Sequence, residues 1–138
     1  RYATRHAEEL GGGLDLVVLG LGPDGHVASL FPGREPTASG VVAFVPDSPK
    51  PPARRLTLTR AALGRARRTL LFATGESKRD ALERLVRGDP ALPATGLPGL
   101  VVVTDLVLEN VTRTSVSPTN DGPVDRDQAR PREDARRA

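Results

Sequence analysis

An aspartate and a histidine two residues apart, Asp24 and His26, lie within Leu14 to Gly33, LDLVVLGLGPDGHVASLFPG, and are the side chains best suited to proton chemistry. Histidine exchanges a proton with water or a sugar carbon near neutral pH because its ordinary pKa is ~6.5. A neighbouring carboxylate orients the imidazole or shares work on a bound substrate, so the pair reads as a hydrolytic or isomerising site. With two histidines in all and no third ligand clustered near them, metal coordination falls short. Zero cysteines exclude thiolate metal sites, Cys nucleophiles and disulfides, and fit a reducing compartment.

The element that must position this pair is the apolar run Leu14, Leu16, Val17, Val18 and Leu19, too short for a typical helix. It reads as a parallel strand buried on both faces. Gly20, Gly22 and Gly25 follow, with Pro23-Asp24-Gly25 carrying the residue preferences of a tight turn. Ligands of open α/β sheets bind outside the carboxyl ends of the strands, which is where this loop falls. Gly20-x-Gly22-x-x-Gly25 also fits the spacing of a dinucleotide fingerprint, with Asp47 about 20 residues on. That fingerprint needs a helix opening at its third glycine, and only a single helical turn, Val27 to Phe31, fits before Pro32 and Gly33. A nucleotide site is therefore not the reading taken.

The remaining elements alternate. Arg1 to Leu10 reads as a helix end closed by Gly11-Gly12-Gly13, with His6 as a surface residue on it. Val41 to Val45 is a strand leading into the proline-rich Pro46 to Pro52, read as a stiff loop along a cleft edge. Arg55 to Thr59 is the next strand, with Thr59 placed to cap a helix from Arg60 to about Arg67, and Thr69 to Ala73 is another. Thr74-Gly-Glu-Ser-Lys78 opens a helix to about Arg87, whose stripe is Ala81, Leu82, Leu85 and Val86. Lys78 falls in its first turn, where the helix dipole disfavours a cation unless an anion is bound there. Leu100 to Thr104 is the last strand. The sum is an α/β fold, a mostly parallel, Rossmann-like sheet with flanking helices.

Residues 1–113 form the expected folded domain, and Thr114 to Ala138 reads as a disordered tail in which five acids and five arginines cancel. The net charge of +3 comes mainly from arginine, since Lys50 and Lys78 are the only lysines. Acids are interspersed with the bases, so a dedicated nucleic-acid surface is not expected, although a basic nucleic-acid-binding module is the alternative from that class. No segment has the length and apolarity of a membrane span and no signal peptide opens the chain, so a cytoplasmic protein is expected.

Gly20-Leu-Gly-Pro-Asp-Gly-His-Val-Ala-Ser-Leu-Phe-Pro-Gly33 resembles the signature of 6-phosphogluconolactonases, within the wider glucosamine-6-phosphate isomerase and deaminase superfamily. Asp47-Ser-Pro-Lys-Pro-Pro52, Arg55-Leu-Thr-Leu-Thr59 and Thr74-Gly-Glu-Ser-Lys78 agree in order, and Leu92-Pro93-Ala94 adds weaker support. The resemblance runs from about Arg1 to Asp105 and implies hydrolysis of 6-phospho-D-glucono-1,5-lactone without metal or organic cofactor. It further implies His26 as general base, Asp24 as its support, Arg55 and Lys78 as sugar-phosphate ligands, and Gly22 and Gly25 as substrate-loop positions. Deaminases of the superfamily carry a proton-relaying Glu where this chain has Phe31, so the wording favours the lactonase over a deaminase. The family's N-terminal strands and Gly-rich phosphate loop have no counterpart here, so the chain is expected to be the C-terminal portion of the fold. An incomplete sugar-phosphate-binding fragment is accordingly the alternative to an active hydrolase.

Overall fold

The computed structural model describes residues 13–36, 38 and 40–109. The readings of Arg1 to Leu10 as a helix, of His6 as a surface residue and of Thr114 to Ala138 as a tail lie outside the described residues.

Three apolar segments form one parallel sheet: β1 (Leu16–Gly20), β4 (Arg68–Phe72) and β5 (Leu100–Val103), with β4 in the middle. Register pairs Gly20 with Phe72 and Phe72 with Val103, so all three strands end level and their loops open at one edge. Between β1 and β4 lie β2 (Val42–Val45), β3 (Arg55–Leu58) and the short helix α1 (Arg60–Leu63). Between β4 and β5 lie a 3-10 turn, Glu76–Lys78, and helix α2 (Arg79–Val86). The expected α/β class with a mostly parallel sheet holds.

The two strands β2 and β3 form a separate antiparallel ribbon, Val42 opposite Leu58 and Val45 opposite Arg55. The nine residues between them explain this, since a parallel crossover requires a dozen or more. Helix α1 is one turn rather than two. Thr59 caps it as expected, its Oγ1 accepting the Ala62 N–H at 3.1 Å, but Gly64 ends it.

One core joins Val17 and Leu19 of β1 and Leu71 of β4 to Leu63, Ala81, Leu82, Leu85 and, from the loops, Val27, Leu30 and Leu92. Burying a leucine such as Leu71 or Leu82 completely contributes about 2 kcal/mol each. All of this lies on one side of the sheet. The expectation that β1 is buried on both faces is corrected: its burial alternates, and Leu16, Val18, Phe72, Val101 and Val103 are 39% to 59% exposed. Among the described residues the helices and loops pack on one face only, so every second side chain of an apolar strand meets solvent. Val86, expected in the buried stripe of α2, is likewise exposed at the helix end while Ala81, Leu82 and Leu85 are buried.

Candidate active site

The loop after β1 begins where the ladder stops. Leu21 extends the pairing by one residue, donating its N–H to the Phe72 carbonyl at 3.2 Å, and the chain then folds back on itself. Gly25 donates to the Gly22 carbonyl at 2.9 Å and Gly22 donates to the His26 carbonyl at 2.8 Å, closing a tight turn around Pro23 and Asp24. Gly25 sits at φ +88°, which a residue with a Cβ adopts only with strain.

Val27 to Phe31 does not make the expected helical turn. Val27 and Leu30 instead exchange backbone hydrogen bonds at 3.2 and 2.9 Å, with Ala28 between them in the left-handed region at φ +52°. The left-handed Ala28 breaks the helical path, and the Ser29 N–H donates to Thr57 Oγ1 of β3 at 3.1 Å. This bond ties the loop to the β2–β3 ribbon.

The fold-back places the imidazole of His26 against the carboxylate of Asp24, with Nδ1 and Oδ1 2.6 Å apart. An ionised carboxylate can only accept, so Nδ1 carries the proton and donates it, and in the neutral imidazole Nε2 is the nitrogen with the lone pair. The other side of the ring rests on Phe31, their centroids 4.7 Å apart and the rings 27° from parallel. Gly22 makes room for the pair: a Cβ there would stand 2.0 Å from His26 Nδ1 and 2.6 Å from Asp24 Oδ1. Gly25 faces away, its missing Cβ in the space that Leu92 Cδ2 fills at 2.4 Å. In this geometry the two glycines give the loop its shape.

Lys50 joins the pair from the proline-rich loop, and the sequence reading gave it no role. Its Nζ donates to Asp24 Oδ1 at 2.9 Å and lies 3.5 Å from His26 Nδ1. The available signal was that one of only two lysines stands inside the Asp47 to Pro52 motif. Partial burial pushes the Asp24 carboxyl up, but the hydrogen bonds from His26 and Lys50 outweigh it and hold the group down at about 2.

Arg55, at the start of β3, reaches the site indirectly. Its Nη2 donates to the carbonyls of Lys50 at 2.9 Å and Pro51 at 2.7 Å, and its Nε to that of Pro52 at 3.0 Å. The guanidinium carbon lies 5.9 Å from the centre of the Phe31 ring. Lys78 stands in the 3-10 turn just before α2, on the loop after β4 that opens at the same sheet edge. Among the described residues no hydrogen bond or ion pair links it to Asp24 or His26. The structure thus gathers Asp24, His26, Gly22, Lys50, Phe31 and Arg55, and leaves Lys78 on the adjoining loop.

Residues 1–103 match the family model described as glucosamine-6-phosphate isomerases/6-phosphogluconolactonase. The chain is 47% identical over 83 residues to a 6-phosphogluconolactonase of Rattus norvegicus, a match covering 58% of this chain and 32% of that protein. A 6-phosphogluconolactonase of Homo sapiens is 43% identical over 90 residues, covering 64% and 34% respectively. Among solved structures, the 6-phosphogluconolactonase of Thermotoga maritima is 32% identical with a TM-score of 0.62, covering 72% of this chain and 46% of that one. The chain spans about a third of the length of the curated relatives it matches.

Proposed function

The chain belongs to the glucosamine-6-phosphate isomerase/6-phosphogluconolactonase family, and from that premise we propose that it serves hydrolysis of 6-phospho-D-glucono-1,5-lactone to 6-phosphogluconate, in the oxidative branch of the pentose phosphate pathway and in the cytoplasm. The observation that carries this reading is the Asp24–His26 contact of 2.6 Å at the carboxyl end of β1. Held by its Nδ1–H, the imidazole presents Nε2 as a base. Nε2 takes a proton from water as the water oxygen bonds to the lactone carbonyl carbon. The bond from that carbon to the ring oxygen then breaks, and the imidazolium returns the proton to the leaving oxygen. Asp24 stays ionised throughout and balances the imidazolium charge.

Phe31 supports hydrolysis over deamination, because the side chain stacked on His26 has no proton to relay. Lys78 and the remaining amine of Arg55 are the cations for the substrate phosphate, a dianion that both the ammonium and the adjoining start of α2 favour. Gly22 and Gly25 serve the substrate by shaping the loop that faces it. The test is acid release from the lactone, measured against spontaneous hydrolysis in buffer. His26→Ala is expected to abolish the enzymatic rate while sparing binding of a phosphorylated sugar acid, and Lys78→Ala to weaken binding with kcat largely kept. The opposite pattern overturns these roles, and no rate above buffer for the unaltered chain refutes the activity.

A further inference from the structure

We propose that Lys50 is a positioning residue for the Asp24–His26 pair, fixing the carboxylate so that the imidazole proton stays on Nδ1 and the base stays on Nε2. This deepens the hydrolase reading and rests on it for its kinetic consequences.

Three groups converge on a single atom. Asp24 Oδ1 accepts from His26 Nδ1 at 2.6 Å and from Lys50 Nζ at 2.9 Å. Lys50 Nζ is 2.9 Å from Asp24 Oδ1 but 3.5 Å from His26 Nδ1, so the carboxylate is its nearer partner, and a protonated Nδ1 offers the ammonium no acceptor. For the neutral imidazole one arrangement suits all three: Asp24 ionised, Nδ1 protonated, Nε2 bare. The other tautomer would set two acceptors against each other at 2.6 Å. Lys50 therefore does two things through Asp24. It keeps the carboxylate charged, in line with the depressed Asp24 pKa of about 2, and it holds Oδ1 where Nδ1–H points.

Lys50 is itself held on a fixed base. Buried Ser48 donates its hydroxyl to the Lys50 carbonyl at 2.9 Å, and its Oγ accepts the Lys50 N–H at 3.3 Å. Arg55 takes the Lys50, Pro51 and Pro52 carbonyls together. The same guanidinium faces Phe31, and Phe31 faces the imidazole. His26, Asp24, Lys50, Arg55 and Phe31 thus close a ring of contacts spanning two loops and a strand. These bonds fix the Lys50 backbone, which leaves only side-chain freedom to be lost on reaching Asp24.

The experiment compares the unaltered chain with Lys50→Met, Lys50→Arg and Ser48→Ala. Side-chain nitrogen spectra of uniformly 15N-labelled protein report which nitrogen of His26 is protonated, with His6→Gln removing the other histidine signal. The unaltered chain is expected to show Nδ1–H alone. Lys50→Met is expected to show both tautomers in exchange, Lys50→Arg to keep Nδ1–H, and Ser48→Ala, which loosens the same loop, to shift the balance less far. In lactone hydrolysis, Lys50→Met is expected to lose about 10- to 100-fold in kcat, the scale of a misplaced catalytic group, with KM within about threefold. Lys50→Arg is expected to restore most of that rate. An unchanged tautomer in both Lys50→Met and Ser48→Ala overturns the proposal, as does a rise in KM with kcat intact, which would make Lys50 a substrate ligand. If the unaltered chain hydrolyses no lactone, the activity reading fails, and the tautomer of the three variants still decides the role of Lys50.

Discussion

Replacing Gly22 by alanine adds one methyl group at the point where the Asp24–His26 pair has no slack. The new Cβ would meet His26 Nδ1 at 2.0 Å, His26 Cε1 at 2.2 Å and Asp24 Oδ1 at 2.6 Å. Carbon contacts settle near 3.5 Å, so the ring must withdraw by about 1.5 Å. Withdrawal stretches the 2.6 Å Nδ1–Oδ1 contact beyond hydrogen-bond range unless Asp24 follows, and Lys50 holds Asp24 at 2.9 Å. Retreat on the other side is blocked by Phe31, itself buried. Misplacing a base by ~1 Å costs about 100-fold in rate, roughly 2.7 kcal/mol of barrier, and overpacking adds about 1–3 kcal/mol of destabilisation. Gly20→Ala is the internal control, because a Cβ there meets nothing within 4 Å. The assay is buffer-corrected lactone hydrolysis together with thermal unfolding of both variants. Gly22→Ala with the unaltered rate and the single Nδ1–H tautomer would refute the steric reasoning, and Gly20→Ala losing as much would refute its specificity.

Gly25→Ala is expected to destabilise by about 1–3 kcal/mol in denaturant titration, since it strains φ +88° and drives a Cβ to 2.4 Å from Leu92 Cδ2; an unchanged midpoint contradicts this. Thr69→Val is expected to stabilise by about 1 kcal/mol, because Thr69 Oγ1 is buried without a hydrogen-bond partner among the described residues and the isosteric methyl needs none; a lower thermal midpoint argues against it. The Asp24 carboxyl is expected to titrate at about 2 by carbon NMR, its hydrogen bonds to His26 and Lys50 winning over partial burial. A depressed folded-state value means that its contribution to stability is complete above about 4, the unfolded value, and is lost as pH falls toward about 2. A midpoint near 4 would show that neither partner engages the carboxylate.

The parallel strands were legible because Leu16 to Leu19, Thr69 to Phe72 and Leu100 to Val103 are short apolar runs bounded by glycine or polar turns. Thr59 was legible as a cap because capping is local. Asp24 and His26 were legible because a turn of fixed chemistry separates them by one residue. What escaped depends on contacts distant in sequence. Lys50 meets Asp24 across 26 positions and Thr57 meets Ser29 across 28, and no periodicity reports either. Val27 to Phe31 is not helical because Ala28 turns left-handed and Val27 pairs with Leu30. The exposed face of β1 was missed for a different reason: an unbroken apolar run describes a strand's composition and not which elements lie over it. The antiparallel pairing of β2 and β3 was within reach, since nine residues do not span a parallel crossover.

Thr57, Arg55 and, through the connecting loop, Lys50 all belong to the β2–β3 ribbon, which among the described residues is hydrogen-bonded into no other sheet. A two-stranded ribbon is marginal by itself, and this one leaves Phe44 and Leu56 more than half exposed. The loop that carries Asp24 and His26 is thus buttressed by a two-stranded ribbon outside the main sheet. Amides of β2 and β3 are set to exchange through openings smaller than global unfolding, and each opening releases Ser29 and Asp24 together while Leu71 and Leu82 remain packed. On warming, the proposed hydrolysis is expected to fail with the ribbon, ahead of the sheet, so that the working lifetime of the site would follow the ribbon's local equilibrium.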